Sequence, residues 1–195
     1  MLSQVRILGL SGSLRRGSLN TALLRAASEL LPADATLDIQ PLHALPFYDG
    51  DVEDQGMPAV VLALKAKIDA ADALLLAVPE YNYSIAPVLK NALDWATRPY
   101  GQSALDGKPV ALIGASIGHH GTVRAQLHLR DVALGTNMHI LNGAEILVTN
   151  AEAKFDGDLR LTDDRTREMI RQMLRQLVLW TRRIERTQHE VELIA

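Results

Sequence analysis

Two segments hold the residues whose types and spacing suit binding chemistry. In GLSGSLRRGSLN (9–20) the hydroxyls of Ser11, Ser13 and Ser18, the guanidinium groups of Arg15 and Arg16 and the Asn20 amide are crowded together. Hydroxyl donors, cations and the free N–H groups of a helix start are what a phosphate monoester takes. The glycines at 9, 12 and 17 do not form a GxGxxG fingerprint, and no Gly-Lys-Ser/Thr marks a P-loop. A receiver-type phosphorylation domain needs acids where Leu10-Ser11 stand. The second segment, VPEYNYSIAPVLKNALDWATRP (78–99), gathers Tyr81, Tyr83 and Trp95. With Tyr100 these are half of the chain's eight aromatic residues, and their rings offer flat apolar faces to a planar ligand.

The rest of the composition narrows the chemistry. The chain has 195 residues and no cysteine, so thiolate catalysis, CxxC redox chemistry, iron–sulfur clusters and cysteine-rich zinc sites are excluded. Redox work would need a bound cofactor to carry the electrons. Twenty basic against 23 acidic residues give a net charge of −3, which exerts no general pull toward nucleic acid or an anionic membrane. His119 and His120 are adjacent, so their side chains diverge; with no HxxxH pattern, no metal site is expected. They are instead candidates for tuning substrate access. The arginines of the last helix read as a solvated face. Apolar runs such as Ala73 to Pro79 fall far short of the roughly 20 residues of a membrane span. The start of the chain lacks a secretory pattern, so a cytoplasmic protein of one domain, 1–195, is expected.

These residues need elements to position them. Val5–Leu10, Ala73–Val78 and Pro109–Gly114 are short, continuously apolar runs, as in strands buried on both faces. Thr36–Ile39 is a weaker strand, and Met138–Val148 a fifth, irregular around Gly143. Helices are expected after Ser18 or Asn20 as cap, over Val60–Ala71, Ala86–Ala96 and Thr122–Leu134, and from Thr162 to about Arg186. The stretch 41–58 and PEYNYS read as loops. This alternation predicts an α/β, three-layer doubly wound domain with a five-stranded parallel sheet in the order 2-1-3-4-5. Ligands bind such sheets beyond the carboxyl ends of the strands where the order reverses, beside the loops after strands one and three.

At these loops the sequence resembles a known family. PEYN…LKNALDW, GSLRRGSLN and GASIGHHGTVRAQLHLR (114–130) look like three signatures of the NADPH-dependent FMN reductase family, flavodoxin-like proteins that include quinone, chromate and azo-dye reductases. The likeness runs from about residue 5 to 148. It implies that Ser13, Arg15, Ser18, Leu19 and Asn20 hold the FMN phosphate. It implies that Pro79, Glu80, Tyr81, Asn82 and Tyr83, with Ser116, Gly118 and Gly121, hold the flavin ring. Arg98, His119 and His120 become candidates for contact with the nicotinamide or the acceptor. Lys90, Asn91, Asp94 and Trp95 read as helix support or a subunit face.

The resemblance further implies a homodimer or homotetramer. It also implies a two-step reaction: hydride passes from NADPH or NADH to FMN, then electrons pass to a quinone or similar small-molecule acceptor such as chromate, an azo dye or free flavin. No side-chain nucleophile or base is needed. The alternative is a flavodoxin-like FMN electron carrier without NAD(P)H oxidation. Two positions depart from the family pattern. Ala86-Pro87 stands in place of Pro-Gly, with an expected shift of the helix start. Gly121-Thr122 stands in place of Gly-Gly, where the added Cβ is expected to limit how closely backbone approaches the ligand.

Overall fold

Strands that are apolar on both sides must be covered on both sides, and the computed structural model, which describes residues 3–192, places helices on each face of one parallel sheet. In chain order the elements are β1 (Val5–Ser11), α1 (Leu19–Glu29), β2 (Ala35–Gln40), α2 (Gly50–Asp54), α3 (Ala59–Ala70) and β3 (Ala73–Ala77). A hairpin of β4 (Glu80–Tyr81) and β5 (Ser84–Ile85) follows, then α4 (Pro87–Ala96), β6 (Pro109–Ala115) and α5 (Val123–Thr136). The chain continues through β7 (His139–Ile140), β8 (Ile146–Val148), a 3-10 turn at Ala151–Lys154 and α6 (Asp164–Glu192). The ends of the expected 1–195 domain lie outside the described residues.

The sheet order is β2-β1-β3-β6-β7, with β8 also pairing β6, and every ladder is parallel. The expected fifth strand is thus two short pieces: β7 pairs at Pro109–Val110 and β8 at Ile113–Ala115, while Asn142-Gly143 between them leaves the sheet. Successive strand residues face opposite layers. Ile7, Leu75 and Ile113 pack with α1 and α6, whereas Leu8, Leu10, Leu74, Leu76 and Leu112 pack with α3, α4 and α5. Each fully buried Leu or Ile contributes about 1.5–3 kcal/mol of transfer free energy. The α4 stripe Leu89, Ala92, Leu93 and Ala96 follows helical spacing into that second layer.

The helix starts agree with local chemistry. Ser18, not Asn20, is the α1 N-cap, its Oγ accepting from the Thr21 N–H at 3.1 Å. Pro87 occupies the first turn of α4, where its missing N–H costs nothing, so the Ala86-Pro87 pair begins this helix cleanly. The stretch 41–58 is fixed by α4: the Asn91 and Trp95 side chains both donate to the Pro46 carbonyl, and Asn91 Oδ1 accepts from the Tyr48 N–H. The order reverses between β1 and β3, and the loops after these strands meet there.

Candidate functional site

The loop after β1 turns sharply against the loop after β3. Gly12 N–H donates to Ala77 O at 2.9 Å, and a Cβ on Gly12 would lie 2.7 Å from Pro79 Cδ, so only glycine allows this approach. Ser13 and Ser18 are buried, and their oxygens accept from Arg15 N–H and Thr21 N–H. Both hydroxyl protons therefore remain available to donate. The N–H groups of Leu19 and Asn20, in the first turn of α1, have no intrahelical acceptor by position. The Asn20 side chain acts differently from the expectation: Nδ2 donates to Ala115 O at 2.9 Å and Oδ1 accepts from Ala115 N–H at 3.0 Å. It ties the first loop to the end of β6, leaving its backbone N–H, not its amide, for a ligand.

The segment after β3 is a hairpin with Asn82 and Tyr83 as a two-residue turn, both left-handed with φ of 48° and 68°. Such turns match the twist of paired strands, but a tyrosine at positive φ is uncommon and needs outside support. The support comes from α5: the Arg124 guanidinium lies 3.8 Å from the centroid of the Tyr83 ring. Arg124 also binds Glu80, whose carboxylate accepts from Arg124 Nε at 2.5 Å and from the Arg124 N–H at 3.0 Å, capping α5. The Glu80 carboxylate is therefore paired with a cation at the edge of the cleft.

The third loop is braced from behind. Ser116 N–H donates to Val148 O, Ala151 N–H to Ser116 O and Asn150 N–H to Gly118 O, while Ser116 Oγ accepts from Gly118 N–H. Gly121 sits at φ 62°, and Thr122 at φ −126°. Thr122 is fully buried, and its hydroxyl accepts from Gln126 Nε2. Its side chain packs on Gly114, where an added Cβ would collide with Thr122 and lie 2.8 Å from Val78 O. The expected obstruction at Thr122 is thus absent, because its Cβ points into the fold.

One cleft brings together Ser13, Arg15, Ser18, Leu19 and Asn20 from the first loop, Pro79, Glu80 and Tyr81 from the second and Ser116 from the third. Ile117, a neighbour of Ser116 in the third loop, lines it too, as does Ala115 at the end of β6, which sequence reasoning missed. Asn82, Tyr83, Gly118, Gly121, His119 and His120 are outside the lining. Tyr83 is held by Arg124, and the two histidines are exposed on the third loop.

Arg98 is elsewhere. Its Nε donates to Glu53 at 2.7 Å and its guanidinium lies 5.7 Å from the Tyr48 ring centroid, pinning α2 to the end of α4. The hydrogen bond from Arg98, helped by the Tyr48 hydroxyl, holds the Glu53 carboxyl below its ordinary range.

The donor set fits the FMN phosphate: one unpaired guanidinium, two buried hydroxyls and free helix-start amides converge, and the single carboxylate lining the cleft is already neutralised by Arg124. No group of three or more His, Cys, Asp or Glu able to hold a metal occurs among the described residues, and none of the described helices is long and apolar enough to cross a membrane.

Comparison with known proteins agrees with this geometry. The chain is 47% identical over 184 residues to an NAD(P)H-dependent FMN reductase of Pseudomonas aeruginosa, covering 94% of this chain and 99% of the relative. It is 41% identical over 171 residues to a 2-hydroxy-1,4-benzoquinone reductase of a Burkholderia species, covering 88% and 93%. The solved structure of FerB, a flavoenzyme NAD(P)H:(acceptor) oxidoreductase of Paracoccus denitrificans, superposes with a TM-score of 0.84 at 33% identity, covering 92% of this chain and 98% of that one. The model of the NADPH-dependent FMN reductase family matches residues 5–153, and the chain belongs to that family.

Proposed function

We propose that this protein is an FMN-dependent NAD(P)H oxidoreductase whose acceptor is a quinone, converting NAD(P)H, a proton and quinone to NAD(P)⁺ and hydroquinone. The observation that carries the reading is the single cleft in which phosphate donors, the hairpin after β3 and the braced third loop meet. FMN, when bound, supplies the chemistry of accepting a hydride and passing on its electrons. The chain's own task is binding and placement. Arg15, the Ser13 and Ser18 hydroxyls and the first α1 amides hold the phosphate. Pro79 and Tyr81 wall the ring, and the third-loop N–H groups not already spent within the fold, those of Ile117 and of His119 to Gly121, are the ones left to face negative charge at its edge. The positive end of α5 is already occupied by Glu80, which leaves that stabilisation to the loop amides.

The reading extends to a cytoplasmic homo-oligomer, dimer or tetramer, supported by the exposed apolar side chains of Tyr100, Leu127 and Leu134. Sedimentation of the purified protein checks the oligomer. For the activity, protein loaded with FMN should oxidise NADPH or NADH when 1,4-benzoquinone is present. Loaded protein inert to both nicotinamides would be an electron carrier and would overturn the proposal.

A further inference from the structure

We propose that a second cavity, between the loop after β1, the outer face of α1 and the turn after β2, is the subsite for the 2′-phosphoadenosine end of NADPH, with Arg25 as its principal phosphate ligand. The inference rests on the flavin reading of the neighbouring cleft and deepens it. The cavity has a volume of about 660 Å³ and shares Ser13 and Arg15 with the cleft, so the two adjoin at the first loop. That size lies within the usual range for sites of small organic ligands, about 300–1,000 Å³.

Its lining has one sign of charge. Arg15, Arg16 and Arg25 all contribute, and no carboxylate does. Eight other basic residues of the described chain are each paired with an acid: Arg6, Lys67, Lys90, Arg98, Arg124, Arg167, Arg171 and Arg182. Arg15, Arg16 and Arg25 have no such partner among the described residues. Like charges brought together repel, and a dianion relieves this. The floor beneath them is apolar, from Ile39, Pro41 and buried Leu42, while His43 Nε2 lies 3.0 Å from Leu14 O and joins the turn after β2 to the first loop. A purine on an apolar floor beside guanidinium planes, with a phosphate monoester between them, matches this set.

Two further points separate this subsite from the FMN phosphate and from NADH. Arg25 is six residues into α1 from Leu19, about 9 Å along the axis at 1.5 Å per residue, and it lines this cavity but not the flavin cleft. In dinucleotide sites a carboxylate beyond the second strand reads a free ribose 2′-hydroxyl, whereas arginine accommodates a 2′-phosphate. Here β2 ends at Gln40-Pro41 with arginines opposite and no acid in the lining.

The test is equilibrium titration of the FMN-loaded full chain with adenosine 2′,5′-bisphosphate, adenosine 5′-monophosphate and inorganic phosphate. The bisphosphate should bind at least about ten-fold tighter than either other probe, and Arg25→Ala should remove that advantage while leaving FMN affinity unchanged. In turnover, Arg25→Glu should raise the KM for NADPH by about ten-fold or more and leave kcat/KM for NADH within about two-fold. Equal affinity for the two nucleotides, or bisphosphate affinity unchanged in Arg25→Ala, would overturn the subsite. So would inorganic phosphate binding as tightly as the bisphosphate. A failure of the flavin reading looks different: the chain would take up no FMN or oxidise neither nicotinamide.

Discussion

At the scale of single residues, the site turns on how each polar side chain spends its hydrogen bonds. Arg15 is the one cation lining the flavin cleft among the described residues, and it has no acid partner. Its replacement by Ala should weaken FMN binding by about 1.5–3 kcal/mol, roughly ten-fold or more, read from FMN fluorescence during apoprotein titration. Unchanged affinity would remove Arg15 from the phosphate site. Asn20 has the opposite character, because both amide atoms are committed to Ala115. Asn20→Ala strands a buried N–H and C=O, so urea unfolding of the apoprotein should show a loss of about 1–3 kcal/mol. A purely ligand-binding Asn20 would leave apoprotein stability unchanged. The sequence made Arg15 and Asn20 look alike, since both sit in one phosphate-loop pattern; only the arrival of β6 beside α1 separates them.

At the scale of elements, the local patterns were legible where burial alone decides and obscure where a distant partner does. Continuous apolar runs identified the core strands, and Ser18 was one of two caps the sequence offered for α1; Ala86-Pro87, expected to shift the start of α4, instead begins it. The Asn82-Tyr83 turn was not legible, because tyrosine is a poor left-handed residue and its support, Arg124, lies on α5. The partner of Arg98 was not legible for the same reason: Glu53 is 45 residues away on α2. The junction of β6 with α5 offers a test. Gly114→Ala should destabilise the protein by about 1–3 kcal/mol through overpacking against Thr122 and Val78. Adding Thr122→Ala should recover part of that loss, and a double-mutant cycle in urea measures the coupling. Strict additivity would mean that the two side chains do not meet.

At the scale of the whole molecule, a parallel sheet places three loops at one edge, and the connection 41–58 is clamped over α4 by Asn91, Trp95 and the Glu53–Arg98 pair. Because the Glu53 carboxyl is held below its unfolded value of about 4.3, its contribution to stability is present above that pH and is lost as pH falls through the folded value. Glu53→Gln should therefore lower the melting temperature at neutral pH, with the gap to the parent protein closing in acid; a gap independent of pH would contradict the ion-pair role. Whether one cleft serves both half-reactions is read from sequential anaerobic mixing of FMN-loaded protein with NADPH and then with benzoquinone. NADPH should bleach the bound flavin absorbance, and one equivalent of quinone should restore it with the flavin still bound. Absorbance unchanged by NADPH, or restored only after FMN leaves the protein, would contradict a shared cleft.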